Sequence, residues 1–208
     1  MCISFEASVI AYTIGLLSGA SIFYNSYINK SNAFLKVIGL FIIFYSQIQL
    51  LEALIYKNNN FLWSRLILAN ISLQGFIFFA LIKYYNIFKS IYTNLLLFIT
   101  LLISLYGIYK SFTLKQNEKA KFLKYGIEWP FSDYYLALMY FFMFLFLFIS
   151  KNNLVYIVGL FFFITFILAS YVSYLNMLKH TPGLWCWFSA ITAPLLYYFL
   201  KFNNKFNN

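Results

Sequence analysis

The chain has 208 residues, of which 63% are hydrophobic, 24% aromatic and only 10% charged, and its mean hydropathy is +0.77. Soluble domains carry about a quarter charged residues, so a soluble globular enzyme, a disordered chain and a nucleic-acid-binding domain are all poor readings. The net charge of +10 does not imply nucleic acid: the basic residues fall singly between apolar runs, the pattern that orients a membrane protein.

A helix needs about 20 apolar residues to cross the hydrocarbon, with every backbone group satisfied inside the segment. In chain order the predicted spans are Ala7–Tyr27, Ala33–Tyr56, Phe61–Tyr85, Ile87–Phe112, Tyr134–Ser150, Leu154–Leu175 and Leu184–Phe202. The first lacks a basic n-region and a small-residue cleavage site, so it reads as a permanent span. The boundary between the third and fourth is marked only by Lys83, Asn86 and Lys89, and the fifth is the shortest. The expected fold is all-α: a polytopic transmembrane helical bundle of seven spans, with six or eight as the neighbouring counts, in one integral-membrane domain over 1–208. Residues 113–133 form the longest extramembrane loop. Its first part, with Lys115, Lys119, Lys121 and Lys124, reads as a short interfacial helix ahead of a Glu128-Trp129-Pro130 turn.

Seven spans sort the connections onto two faces. Face A holds Met1–Glu6 and the loops near 57–65, 113–133 and 176–184; face B holds the loops near 30, 86 and 151 and the C-terminal tail. All five acids, all four Trp, both Cys and the lone His180 belong to face A or the span ends nearest it, whereas face B is Lys, Asn and Ser. Outside the 113–133 loop the basic residues favour B, which places B in the cytoplasm and the N-terminus on the extracytoplasmic or lumenal side.

The second span carries the strongest intramembrane signal. Tyr45, Gln49, Glu52 and Tyr56 recur at spacings of four, three and four, so they share one helix face. A carboxylate in lipid costs several kcal/mol and is a functional candidate by default; the bland alternative is a Glu one turn from the interface, paired with Lys57 or Arg65. In the third span Asn70, Ser72 and Gln74 are positioned to hydrogen-bond across to Gln49, and Asn70 and Gln74 taken alone read as interhelical glue. Gly15 and Gly19 form a GxxxG, read as packing within the chain.

Cys2 and Cys186 both fall at face A. A disulfide between them ranks first if that face is lumenal, unpaired thiols second, and a metal site with Glu6, Glu52 and His180 third, because the spacing matches no metal signature. His180, beside Thr181-Pro182-Gly183, reads first as a loop residue. Trp185 and Trp187 open the last span as an interfacial belt would. No phosphate-binding glycine loop, HExxH, GxSxG or Arg-rich helix is present, and no cofactor is implied.

Three pieces together resemble a known family: Met1-Cys2-Ile3-Ser4-Phe5-Glu6-Ala7-Ser8, Gln49-Leu-Leu-Glu52-Ala-Leu-Ile-Tyr56 and Gly183-Leu-Trp185-Cys186-Trp187. They resemble an uncharacterised family of small multi-spanning membrane proteins of giant DNA viruses (mimivirus and algal-virus relatives) and some protists. Where that family commonly carries Trp, this chain has Ile3 and Tyr56. The resemblance implies a membrane architecture and a viral origin, transfers no activity, and falls on Cys2, Gln49, Glu52, Trp185 and Cys186.

The leading expectation is a channel or transporter whose pocket opens to face A for a small polar or cationic solute, with Glu52 as counter-charge, Gln49 and Tyr45 orienting it, Asn70, Gln74 and His180 nearby, and Trp185 or Trp129 as a wall. The alternatives are a membrane-embedded enzyme acting on a lipid headgroup, against which one His and no paired acids within the spans argue, and a structural or host-interaction viral membrane protein. The lipid bilayer is the one partner the composition requires; oligomeric state stays open.

Overall fold

Ser4, Asn32 and Asn60 each accept a backbone N–H of the helix that follows, from Ala7 at 3.2 Å, Phe34 at 2.9 Å and Leu62 at 3.0 Å. The polar punctuation between the apolar runs thus works as helix N-caps. The computed structural model describes residues 4–30, 32–88, 91–116, 119, 121–123, 126–128, 134–149, 153–175 and 181–203, with backbone alone at 121–123, 126–128, 134–138, 148–149, 169–170, 172–175 and 181–191.

Among the described residues there are seven α-helices: α1 (Phe5–Ile28), α2 (Ala33–Lys57), α3 (Phe61–Tyr84), α4 (Ile91–Thr113), α5 (Tyr134–Ile149), α6 (Asn153–Leu175) and α7 (Thr181–Phe202). They fall on the seven apolar runs of the sequence. Within the described residues, α1 to α4 are each long and apolar enough to cross a membrane, as an integral membrane protein requires.

Two features depart most from expectation. The fourth helix starts at Ile91 rather than Ile87, because α3 ends in a left-handed turn. Asn86 has φ 51°, its N–H reaches the Lys83 carbonyl at 3.1 Å, and the Ile87 N–H reaches Ile82 at 3.1 Å. These are the two bonds of a Schellman cap, and Asn tolerates that backbone better than most residues. The second departure is in the 113–133 loop, where Lys121–Leu123, at the end of the lysine-bearing stretch expected as an interfacial helix, is instead strand β1, paired antiparallel with β2 (Gly126–Glu128), Phe122 opposite Ile127. Gly126 and Pro130 cut this stretch too short for a helix to nucleate on its own.

Helices α2, α3, α5, α6 and α7 pack in a ring, each against the next, and α7 closes it on α2. Helix α1 lies outside the α2–α7 seam, and α4 outside the α3–α5 seam. The α1–α2 contact depends on small residues. A Cβ on Gly15 would stand 2.8 Å from Ser46 Cβ, and one on Gly19 would stand 2.8 Å from the Gly39 carbonyl oxygen. The GxxxG is therefore spent on packing inside the chain. On α4, Thr100, Ser104, Gly107 and Ser111 form a buried small-residue stripe, and Ser104 Oγ donates to the Ser72 carbonyl of α3 at 2.6 Å.

Candidate functional site

Helix α2 is the most enclosed of α1 to α4, and its polar stripe faces inward. Tyr45 is 5% exposed, Gln49 1% and Glu52 0%. Tyr45 lines a void of about 20 Å³ between α2, α3, α5 and α6, together with Phe41, Phe78, Tyr140, Phe144 and Phe162. Because Gln49 and Glu52 share the Tyr45 face, the stripe runs along the inside of the ring. At 1.5 Å per residue Glu52 lies about 7 Å from the end of α2 at Lys57, and Tyr45 about 18 Å.

A second row faces it from α3. Trp63, Asn70 and Gln74 stand seven and four residues apart and share a face with Phe78, which lines the same void. Counted out from the connection at Lys57–Asn60, Gln49 and Asn70 lie at about the same depth, as do Tyr45 and Gln74. Three polar atoms of this row are buried without a hydrogen-bond partner among the described residues: Trp63 Nε1, Asn70 Oδ1 and Gln74 Nε2. Buried polar atoms are paired in the great majority of cases, so such a run calls for an explanation.

Gln49 on α2 is the expected partner of the α3 row. The Gln74 hydrogen bond is to α5, where the Tyr140 hydroxyl donates to its Oε1 at 2.6 Å, and Asn70 Oδ1 has none among the described residues. The α5 helix reaches the inner face of α3 because Gly75 admits it: a Cβ there would meet Met139 Cγ at 2.5 Å.

Two cations stand near the end of α2 and the start of α3. Arg65 donates from Nη2 to the Leu114 carbonyl at 3.2 Å and lies 4.6 Å from the Phe61 ring, while Lys57 is exposed. Toward the other end of the ring the two rows give way to carbon. Phe78 packs edge-on against Phe41 at 5.2 Å and Phe79 at 5.3 Å, and Phe79 against Phe146 at 5.2 Å.

The structure thus brings Tyr45, Gln49, Glu52, Asn70 and Gln74 onto facing rows. Cys2, Trp129 and His180 lie outside the described residues; Trp185 and Cys186 fall within α7, where only the backbone is described. The Cys2–Cys186 disulfide and the aromatic wall therefore lie outside them too. Among the described residues no group of three or more His, Cys, Asp and Glu is placed to hold a metal ion. Sequence reasoning missed Tyr140, one of 19 tyrosines and without a spacing signal of its own. It also missed the α4 stripe, whose spacings of four, three and four were legible.

Chemically, the arrangement is a carboxylate, amide oxygens and phenols sunk among apolar side chains, with indole and amide N–H groups opposite. It suits a small positively charged species, since in such low-dielectric surroundings a carboxylate attracts a cation far more strongly than in water. No protein-family model, curated protein or solved structure matches the chain.

Proposed function

We propose that this chain is a seven-span integral membrane protein that binds and passes a small cation between the facing polar rows of α2 and α3. The observation that carries the reading is Glu52: it is a carboxylate 0% exposed on the inward face of α2, the most enclosed of α1 to α4. Holding a carboxylate at this depth costs about 2.5–3.5 kcal/mol near the helix centre and less toward the ends. A chain that needed only packing would meet that position with Leu at no such cost. Gln49 and Tyr45 extend the row inward, and the aromatic side chains around Phe78 close it toward the far end.

In this reading the end of the bundle at Lys57–Asn60 is the entrance. It faces the extracytoplasmic or lumenal side with the N-terminus, and the Lys/Asn tail is cytoplasmic, in a virion or host membrane if the viral resemblance holds.

The test is cation uptake into liposomes containing the purified full chain, with rubidium, methylammonium and protons followed separately. Uptake of at least one, reduced tenfold or more by Glu52→Gln, supports the reading. Uptake that Glu52→Gln leaves unchanged, or none of any cation, refutes it.

A further inference from the structure

The α3 row says more about the species that occupies the site. Trp63 Nε1 and Gln74 Nε2 are donors, Asn70 Oδ1 is an acceptor, and among the described residues each is buried without a hydrogen bond. Gln74 itself is 0% exposed. Trp63 and Asn70 lie about 10 Å apart along the helix, Asn70 and Gln74 about 6 Å. No single small solute pairs with all three. A chain of water does, because each molecule both donates and accepts and is held by two to four polar partners.

At their inner end both rows meet a void of about 20 Å³ lined by apolar and aromatic side chains, which has no room for a hydrated metal ion or an organic cation and no polar partners to hold water of its own.

We infer that the inner faces of α2 and α3 hold a file of bound water, and that the cation it carries is the proton, taken up at Glu52 and handed inward as far as the Tyr140–Gln74 hydrogen bond. The inference rests on the reading of Glu52 given above. In each cycle the Glu52 carboxylate accepts a proton from water on the entrance side, and its O–H returns that proton to the next water inward, restoring the carboxylate.

Among the described residues, few other ionisable groups lie at this end of α1, α2 and α3. On α1 the acid is Glu6, exposed in the first turn, with Tyr12 a turn and a half further on. On α2 Tyr45 and Tyr56 share the Glu52 face and Lys57 is exposed. On α3 Arg65 is turned to Leu114. The side chains of residues 181–191 on α7 lie outside the described residues. Beyond the file, the Tyr140 bond to Gln74 and the void lined by aromatic rings interrupt it, so passage requires Tyr140 to leave Gln74.

The experiment places the full chain in liposomes that enclose a pH dye, with an inside-negative potassium diffusion potential. Internal acidification is expected, at least tenfold slower with Glu52→Gln and several-fold slower with Trp63→Phe or Asn70→Ala. Trp63→Phe keeps the ring and removes only the N–H. Rubidium or methylammonium uptake without acidification would overturn the proton while leaving the Glu52 cation reading intact; no movement of any of the three would overturn both.

A second measurement needs no variant. Hydroxyl radicals made from bound water by a brief X-ray pulse should oxidise Tyr45 well before Phe79, both of them buried. Equal protection of the two would overturn the water file.

Discussion

Tyr140 donates its hydroxyl to Gln74 Oε1 at 2.6 Å, and this one bond sets the depth at which the polar interior of the bundle stops. On one side of it lie Gln49, Asn70 and Glu52; on the other lie Phe41, Phe78 and Phe144 around a void of about 20 Å³. Interhelical hydrogen bonds in membranes average only about 0.6 kcal/mol, but a buried acceptor stripped of its partner costs about 1–3 kcal/mol.

Tyr140→Phe should therefore destabilise the protein by about 1–2 kcal/mol, a fall in Tm of about 2–8 °C for a chain of this size. Adding Gln74→Leu to it should recover most of the loss, because replacing both partners by apolar groups is nearly neutral. A thermal double-mutant cycle in detergent checks this; additive losses would mean that the two side chains do not act as a pair.

The seam between α1 and α2 makes a second prediction. A Cβ on Gly39 would stand 2.6 Å from the Phe23 backbone nitrogen and 2.8 Å from the Gly19 carbonyl oxygen, and neither is a side-chain end that can swing away. Gly39→Ala should cost about 1–3 kcal/mol by overpacking, while Leu17→Ala on the exposed face of α1 should cost far less. Melting temperatures of the two variants decide it.

Arg65 joins the first turn of α3 to the residue that follows α4, through the Leu114 carbonyl. Arg65→Gln should leave the centre of α4 intact and free its last turn. Amide hydrogen exchange should accelerate over residues 110–114 and stay unchanged around Thr100 and Ser104, whose hydroxyls are tied to the Leu96 and Ser72 carbonyls.

The proposed seven-span arrangement puts the two termini on opposite sides of the membrane. Tags at residues 1 and 208 of the full chain should be reached by protease from opposite faces of sealed vesicles, and a tag in the Lys57–Asn60 connection should behave like the N-terminal one. Both termini on one side would mean that one of the seven helices does not cross, and the short α5 is the first to suspect.

The helices were legible because lipid imposes a length and hydropathy that few other contexts do. Asn32 and Asn60 showed where α2 and α3 begin, since in a chain this apolar a polar residue outside a span is conspicuous. The α2 stripe was legible for the same reason: Gln49 and Glu52 stand out at helical spacing among leucines. Tyr140 was not, because in a chain with 19 Tyr and 27 Phe one hydroxyl among aromatic rings carries no periodic signal. The hydrogen-bond partner of Gln74 was misassigned for a geometric reason. Asn70 and Gln74 do share a face and a depth with α2, but Gly75 lets α5 come close enough for Tyr140 to reach Gln74, and no pattern within α3 reveals a neighbour brought in by a glycine.

The most direct measurement pairs function with stability at Glu52. The wild-type chain and Glu52→Gln should be compared in one preparation, by cation flux in liposomes and by Tm in detergent. The account predicts a tenfold or greater loss of flux with a Tm equal to or above wild type, because the variant removes a buried charge and keeps its shape. A lower Tm with flux intact would contradict it and make Glu52 a packing residue.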